Sequence, residues 1–185
     1  MSFFTFRLKK HLPCTIRLVD NLPQSFSSMK SNRHETAVEN NTTELIVPQR
    51  RRVIQEREFA GRDDIRTVTI PDSVHVIKKE AFAGCHNLET VYLSNKLTAI
   101  EERAFCDCYQ LKSIVLPEGL ESIGEAAFFK CFGLESLVIP KSVKTMGLDA
   151  FGACQKMSLV KVARTTDITE MPFLHDNHAK IEYYE

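Results

Sequence analysis

The stretch that decides the fold is residues 82–127, which read FAGCHNLETVYLSNKLTAIEERA and then FCDCYQLKSIVLPEGLESIGEAA. They are two consecutive copies of one 23-residue unit. The same step continues on both sides and defines a column of Phe59, Phe82, Phe105, Phe128 and Phe151. Self-similarity at a period of about 20 to 50 residues is the mark of a repeat architecture.

Further apolar columns share the 23-residue step and show which positions face the core. They are Ile65, Leu88, Leu111, Leu134 and Met157; Val68, Val91, Ile114, Leu137 and Val160; Ile70, Leu93, Leu116, Ile139 and Val162; Val74, Leu97, Leu120 and Val143; and Ile77, Ile100, Ile123 and Met146. One unit is too short to bury its own apolar face. Neighbouring units must therefore stack and share one continuous core.

Leu88, Val91 and Leu93 end in a period-two alternation, which is typical of a short β-strand. Stacked copies predict a parallel ladder with strands ~4.8 Å apart. The predicted fold is a β-rich repeat solenoid of about five 23-residue turns, with one short parallel strand per turn. Gly124 and Gly147 follow the second apolar wall, and we expect a positive φ there because glycine adopts it without strain.

The shared line L-x-x-V-x-L-P-x-x-L-x-x-I-G-x-x-A-F-x-x-C resembles the BspA-like class of leucine-rich repeats over residues 45–173. The sequence departs from ordinary leucine-rich repeats because no Asn column follows the strand. A Cys column appears elsewhere in the unit. The resemblance implies the solenoid fold, but it leaves the function open, since such repeats bind many different partners.

The repeat does not extend to the start of the chain. Residues 1–43 begin with a basic, Phe-containing stretch and continue into a Ser- and Asn-rich segment. We predict a poorly ordered N-terminal extension and polar linker there, followed by the solenoid in residues 44–185. The last turn is one residue short, and an atypical terminal turn is what ends the stacking of a solenoid.

Lys and Arg together number 24, as do Asp and Glu, so the formal net charge is zero. A neutral chain lacks the basic surface that nucleic acid attracts, and we expect no nucleic-acid partner. No apolar run approaches the ~18 residues of a membrane span. The first residues also lack the apolar region and cleavage site of a secretory signal.

Cys85, Cys108, Cys131 and Cys154 form a column with one thiol per turn. Thiols that rise ~4.8 Å per turn cannot converge on one zinc ion, so we predict buried free thiols that act as small apolar groups. His175 and His178 are close in sequence but have no matched third ligand. Because no catalytic, phosphate-binding or metal-binding motif occurs either, we predict no enzyme, no metal and no cofactor.

The remaining candidates are strand residues that point away from the core. One column is Thr67, Thr90, Ser113, Ser136 and Leu159, and its neighbour is Thr69, Tyr92, Val115, Val138 and Lys161. Hydroxyl groups beside a Tyr and two Val suit a protein-binding surface, with Tyr92 as its anchor. The alternative is that these residues are good strand formers on a solvated sheet.

The sequence therefore predicts a non-enzymatic protein-interaction module that presents its strand face to a protein partner. The identity of the partner and the oligomeric state do not follow from the sequence. Free thiols and the lack of a visible signal favour an intracellular location. The alternative, which the resemblance permits, is a cell-surface or secreted BspA-like adhesin or antigen.

Overall fold

The computed structural model describes residues 38–39, 43–166, 173 and 179–185, and of residues 38–39 it describes the backbone alone. The described residues form a parallel β-solenoid whose turns repeat every 23 residues. The predicted extension and linker, residues 1–43, lies outside the described residues except for 38–39 and 43, and so do His175 and His178.

Three sheets form two walls of the solenoid, because the first two sheets follow one another along one wall and the third sheet forms the other. The first contains β1 (Val38–Glu39), β2 (Glu44–Ile46), β4 (Thr67–Thr69), β6 (Thr90–Tyr92) and β8 (Ser113–Ile114). The second contains β10 (Ser136–Ile139), β12 (Leu159–Ala163) and β13 (Lys180–Tyr184). The third contains β3 (Val53–Ile54), β5 (Val76–Ile77), β7 (Ala99–Ile100), β9 (Ser122–Ile123) and β11 (Thr145–Met146).

The predicted parallel ladder is confirmed, and its register follows the 23-residue step. Thr67 pairs with Thr90, and Thr90 pairs with Ser113. Only β1 runs antiparallel among the described strands, beside β2. The structure adds a second, two-residue strand to each turn that the sequence analysis did not predict. This second strand arises because the other apolar wall is also extended and stacks in register, as Val76 pairs with Ala99.

The core lies between the wall of the first two sheets and the wall of the third. A spine of stacked phenyl rings lies at one corner, with centroids 5.1 Å apart between Phe82 and Phe105 and 5.2 Å apart between Phe105 and Phe128. The rings of Phe151 and Phe173 continue the stack at 5.8 Å, so the shortened last turn keeps the spacing approximately. The predicted Phe column is therefore confirmed as the structural axis of the repeat.

Two positions in each turn have a left-handed backbone. The first lies two residues before each Phe: Arg57, Glu80, Arg103, Ala126 and Asp149. The second lies two residues after it: Gly61, Gly84, Asp107, Lys130 and Ala153. Only the first two units place glycine at the second position, so the later units keep this conformation with ordinary side chains.

The expected positive φ at Gly124 and Gly147 was wrong, because among the described glycines only Gly61 and Gly84 have one. The structure shows another reason for glycine. A Cβ on Gly124 would lie 2.4 Å from the main-chain nitrogen of Glu102, and one on Gly147 would lie 2.4 Å from that of Glu125. These glycines allow successive turns to approach closely.

Candidate protein-binding face

The outward-facing residues of the first two sheets, together with the exposed residues that directly flank their strands, form what we call the strand face. Register places its columns across successive turns: Ile46 pairs with Thr69, Thr69 with Tyr92, and Val138 with Lys161. All nine predicted partner-binding residues lie on this face. They are Thr67, Thr69, Thr90, Tyr92, Ser113, Val115, Ser136, Val138 and Lys161.

An exposed apolar column crosses this face. We call Ile46, Tyr92, Val115 and Val138 the apolar stripe, and their exposed fractions are 42%, 60%, 82% and 54%. Six large apolar side chains are exposed among the described residues, and four of them belong to this one column. Concentration in a column, rather than scatter over the surface, is what distinguishes a binding patch from ordinary apolar exposure.

The hydroxyl column lies beside the apolar stripe. Thr67 and Thr90 are half-buried, whereas Ser113 and Ser136 are exposed. Leu159, which ends this column, is half-buried. Hydroxyl groups both donate and accept hydrogen bonds, so this column offers adaptable polar contacts next to the apolar ones.

A third column on the strand face carries alternating charge, and we call Arg66, Glu89, Lys112 and Glu135 the charge ladder. Arg66 Nη1 donates to Glu89 Oε1 over 2.7 Å, and Lys112 Nζ donates to the other oxygen of Glu89 over 2.5 Å. The Lys112 ammonium and the Arg66 guanidinium together lower the pKa of the Glu89 carboxyl. Among the described residues, Glu135 forms no ion pair within 4.0 Å.

The strand ladder is interrupted in the middle of this face. No main-chain pairing joins β8 to β10 within the described residues, although β9 and β11 of the same two turns remain paired, as Ser122 is with Thr145. The Phe105 and Phe128 rings also stay stacked at 5.2 Å. The pairing is therefore lost on the strand face alone, next to Val115, although the two strands remain adjacent, and the neighbouring side chains do not explain the break.

Sequence reasoning missed two parts of this surface. Ile46 belongs to the apolar stripe, and its position 23 residues before Thr69 was the signal that could have found it. The second is a stack of half-buried rings at the edge of the face. His86 lies 4.8 Å from Tyr109, and Tyr109 lies 5.1 Å from Phe132, between ring centroids. Their 23-residue spacing was visible, but the change of residue type in each turn concealed the stack.

The predicted burial of the repeated cysteines is confirmed. Cys85, Cys108, Cys131 and Cys154 are fully buried free thiols. Burial raises the pKa of Cys85 and of Cys154 to about 12, and it raises the pKa of Cys108 and Cys131 as well. Nucleophilic attack needs a thiolate, so these thiols are suited to packing rather than to chemistry.

The short-strand side of the solenoid has a different character. A groove of about 520 Å³ lies above Gly124 and Gly147. Its rim carries the Lys79–Glu102 ion pair, 3.0 Å long, together with Lys144. At no described position do three His, Cys, Asp or Glu side chains gather closely enough to hold a metal ion. The part of the chain that the structure describes also contains no helix that could span a bilayer.

Stacked 23-residue turns with a strand face on one side define the class of this protein as a leucine-rich-repeat solenoid. The sequence pattern of the BspA type leucine-rich repeat region matches residues 34–158 in six copies. The chain belongs to the BspA-type leucine-rich repeat family, which confirms the resemblance found in the sequence. This family is typically non-enzymatic, and its repeats generally serve as protein-interaction modules.

Solved structures with the same fold come from several bacteria. The T. pallidum leucine-rich repeat protein TpLRR is 27% identical with a TM-score of 0.68, over 77% of this chain and 69% of that one. A leucine-rich cell surface protein from Faecalibacterium prausnitzii is 28% identical with a TM-score of 0.63, over 73% of this chain and 35% of that one.

The pneumococcal vaccine antigen PcpA is 20% identical with a TM-score of 0.64, over 76% of this chain and 35% of that one. At this identity the likeness shows the fold alone. This chain thus spans 35% of the length of PcpA and of the Faecalibacterium protein. No curated protein matched the chain.

Proposed function

We propose that this protein is a non-enzymatic interaction module that binds a protein partner through its strand face. The observation that carries the proposal is the concentration of exposed apolar side chains in the apolar stripe, at 42% to 82% exposure. Tyr92 occupies a central turn of this stripe and supplies the large amphipathic ring that is enriched at binding hot spots. The flanking hydroxyl column and charge ladder supply a polar surround.

The face suits a protein rather than a small molecule because it is a broad surface of short columns and not an enclosed pocket. Nucleic acid is disfavoured since the charges on the face alternate in sign, whereas phosphate binding needs a basic surface. Backbone rigidity favours binding as well. The columns are held by parallel pairing, for example between Thr69 and Tyr92, so little ordering is needed when a partner docks.

The experiment is affinity capture with the full chain, identification of the partner by mass spectrometry, and titration of that partner. Tyr92→Ala combined with Val115→Lys should weaken binding by at least about tenfold, because it removes the anchor and places a charge in the apolar stripe. The thermal melt should stay nearly unchanged, since both side chains are exposed. Unaltered affinity in this variant would remove the strand face as the binding surface.

A matched control lies on the short-strand side. Thr145→Ala combined with Glu121→Lys changes two exposed residues and likewise introduces one lysine. This control should bind the partner like the wild type. Equal loss in both double variants would indicate a general effect of charge rather than loss of a defined surface.

Two cellular locations of the module are each supported by a different observation. The five described cysteines are buried free thiols, which favours a reducing compartment inside a cell. A cell-surface or secreted adhesin is the second candidate, and it is favoured by the 28% identity to the Faecalibacterium cell surface protein. Protease treatment of intact cells separates the two, since digestion of the chain requires exposure at the exterior.

A further inference from the structure

The charges of the charge ladder are arranged so that the column is complementary to itself when the order of the turns is reversed. The ion pairs within the chain do not require this arrangement. Read in turn order with its flanking residues, the column is Thr43, Arg66, Glu89, Lys112, Glu135 and Ser158. When a second copy of the column, with the order of its turns reversed, is superimposed on the first, Arg66 lies opposite Glu135 and Glu89 lies opposite Lys112. Thr43 meets Ser158. Every charged residue then faces the opposite charge, and the uncharged polar ends face each other.

The same reversal also pairs like residues at the centre of the neighbouring columns. Tyr92 faces Val115 and Thr90 faces Ser113, whereas further out Thr69 faces Val138 and Ile46 faces Lys161. The midpoint lies between β6 and β8, where Tyr92 is 60% and Val115 is 82% exposed. The reversal therefore places the two most exposed apolar side chains at the centre of the interface, where binding hot spots concentrate.

We propose that the strand face pairs with the strand face of a second copy of this chain, about a two-fold axis parallel to the strands. Such an axis lays each column on its own copy with the order of the turns reversed. An interface of this kind is self-complementary, so that each contact occurs twice. The proposal rests on the proposed function, because the same face must bind protein, and it names a second copy as the partner.

The charges of the ladder are accessible enough to make these contacts. The side chains of Arg66 and Lys112 are 52% and 63% exposed, and that of Glu89 is 28% exposed. Glu135 has no ion pair among the described residues, so Arg66 of the second copy would supply its cation. The in-chain bonds of Glu89 hold its carboxylate in place, which lowers the entropy cost of a further contact.

The size of the face determines how tightly the copies bind. Six turns at ~4.8 Å and a width of about 20 Å give about 600 Å² per copy, below the ~800 Å² of a standard stable interface. The dimer should therefore be weak, with a dissociation constant in the micromolar range. Its association should weaken as salt is added, because the facing charges are partly exposed.

Two charge swaps test the arrangement. Glu89→Lys places a lysine opposite Lys112 of the second copy, and Lys112→Glu places a glutamate opposite Glu89 of the second copy. Each variant alone has two repulsive pairs across the axis and should dimerise at least about tenfold more weakly than the wild type. When the two variants are mixed, both pairs become attractive again, so the mixture should form the heterodimer. Sedimentation equilibrium of the full chain measures all three cases.

The control swaps are Glu121→Lys and Lys144→Glu, whose side chains form a 3.2 Å ion pair on the short-strand side. They change the net charge by the same amounts, and each should dimerise like the wild type. A wild-type chain that stays monomeric up to about 1 mM overturns the inference. The inference is also overturned if Glu89→Lys and Lys112→Glu each still dimerise like the wild type. It is overturned as well if a mixture of these two variants does not form the heterodimer.

Two combinations of results distinguish a second copy from another protein as the occupant of the strand face. A monomeric wild type that still loses an identified protein partner through Tyr92→Ala with Val115→Lys leaves the strand face as a binding surface for a different protein. A dimer lost through the charge swaps, together with no other partner, supports the second copy as the occupant.

Discussion

The thiol of Cys108 donates a hydrogen bond to the main-chain carbonyl oxygen of Phe82, one turn earlier, over 3.3 Å. The same contact joins Cys85 to Phe59, Cys131 to Phe105 and Cys154 to Phe128. Each thiol therefore links two turns at the corner where the phenyl rings stack. The cysteine column fills space in the core and also donates hydrogen bonds to main-chain carbonyl oxygens.

The buried thiols should resist alkylation while the chain is folded. Cys85, Cys108, Cys131 and Cys154 have no exposed surface, and their raised pKa values leave almost no thiolate at pH 8. Iodoacetamide at pH 8 should leave these four unlabelled in the native chain and label them in denaturant, as measured by peptide mass spectrometry. Rapid native labelling of any of the four would contradict the burial of that thiol in the core.

Alkaline pH should destabilise the fold. Burial raises the pKa of Cys85 and of Cys154 from about 9.0 to about 12, so above pH 9 the unfolded chain binds fewer protons than the folded chain. Stability therefore falls as the pH rises from about 9 to 12, by up to about 1.4 kcal/mol per pH unit for each thiol. Urea unfolding across this range measures the slope.

The matched control for this pH dependence is the double variant Cys85→Ala with Cys154→Ala. It should be less stable at pH 8, because two buried side chains are shortened, yet it should lose stability more gradually above pH 9. If the free energy of unfolding of this variant falls with pH as steeply as that of the wild type, ionisation of these two thiols is not the cause of the loss.

Close approach of the turns makes Gly147 intolerant of a side chain. Gly147→Ala places a Cβ 2.4 Å from the main-chain nitrogen of Glu125, which forces the backbone to shift. We expect a loss of at least about 2 kcal/mol in the free energy of unfolding. Gly119→Ala is the control, because its Cβ would meet no atom closer than 3.8 Å. That substitution should be neutral or stabilise by up to about 1 kcal/mol, as measured by urea titration.

The stacked phenyl rings of the core should contribute more to the free energy of unfolding than the half-buried stack of His86, Tyr109 and Phe132. Phe128 is fully buried, with ring neighbours at 5.2 and 5.0 Å, and Phe128→Ala should cost about 3–5 kcal/mol. Phe132→Ala removes the same group from a half-buried stack 5.1 Å from Tyr109 and should cost about 1 kcal/mol. Similar losses in the two variants would contradict the spine as the main stabilising feature.

Most of the fold was predictable because the repeat carries redundant information. Phe82, Phe105 and Phe128 recur at one spacing, and only stacked turns bring such residues into contact along their length. The strand face was predictable for the same reason, since alternation around Val91 assigns Thr90 and Tyr92 to the outside. The glycine prediction failed at Gly124 because spacing shows where a glycine lies but does not distinguish backbone torsion from close approach.

The sequence by itself determined the repeat length, the core columns, the parallel register and the burial of the cysteines, because each follows from the periodic placement of apolar side chains. Only the tertiary structure decided the second strand in each turn, the absence of pairing between β8 and β10 next to Val115, and the in-chain ion pairs of Glu89. The reason is physical. Periodicity specifies which side of the wall a residue faces, whereas hydrogen bonds and ion pairs between turns depend on how closely two neighbouring turns approach.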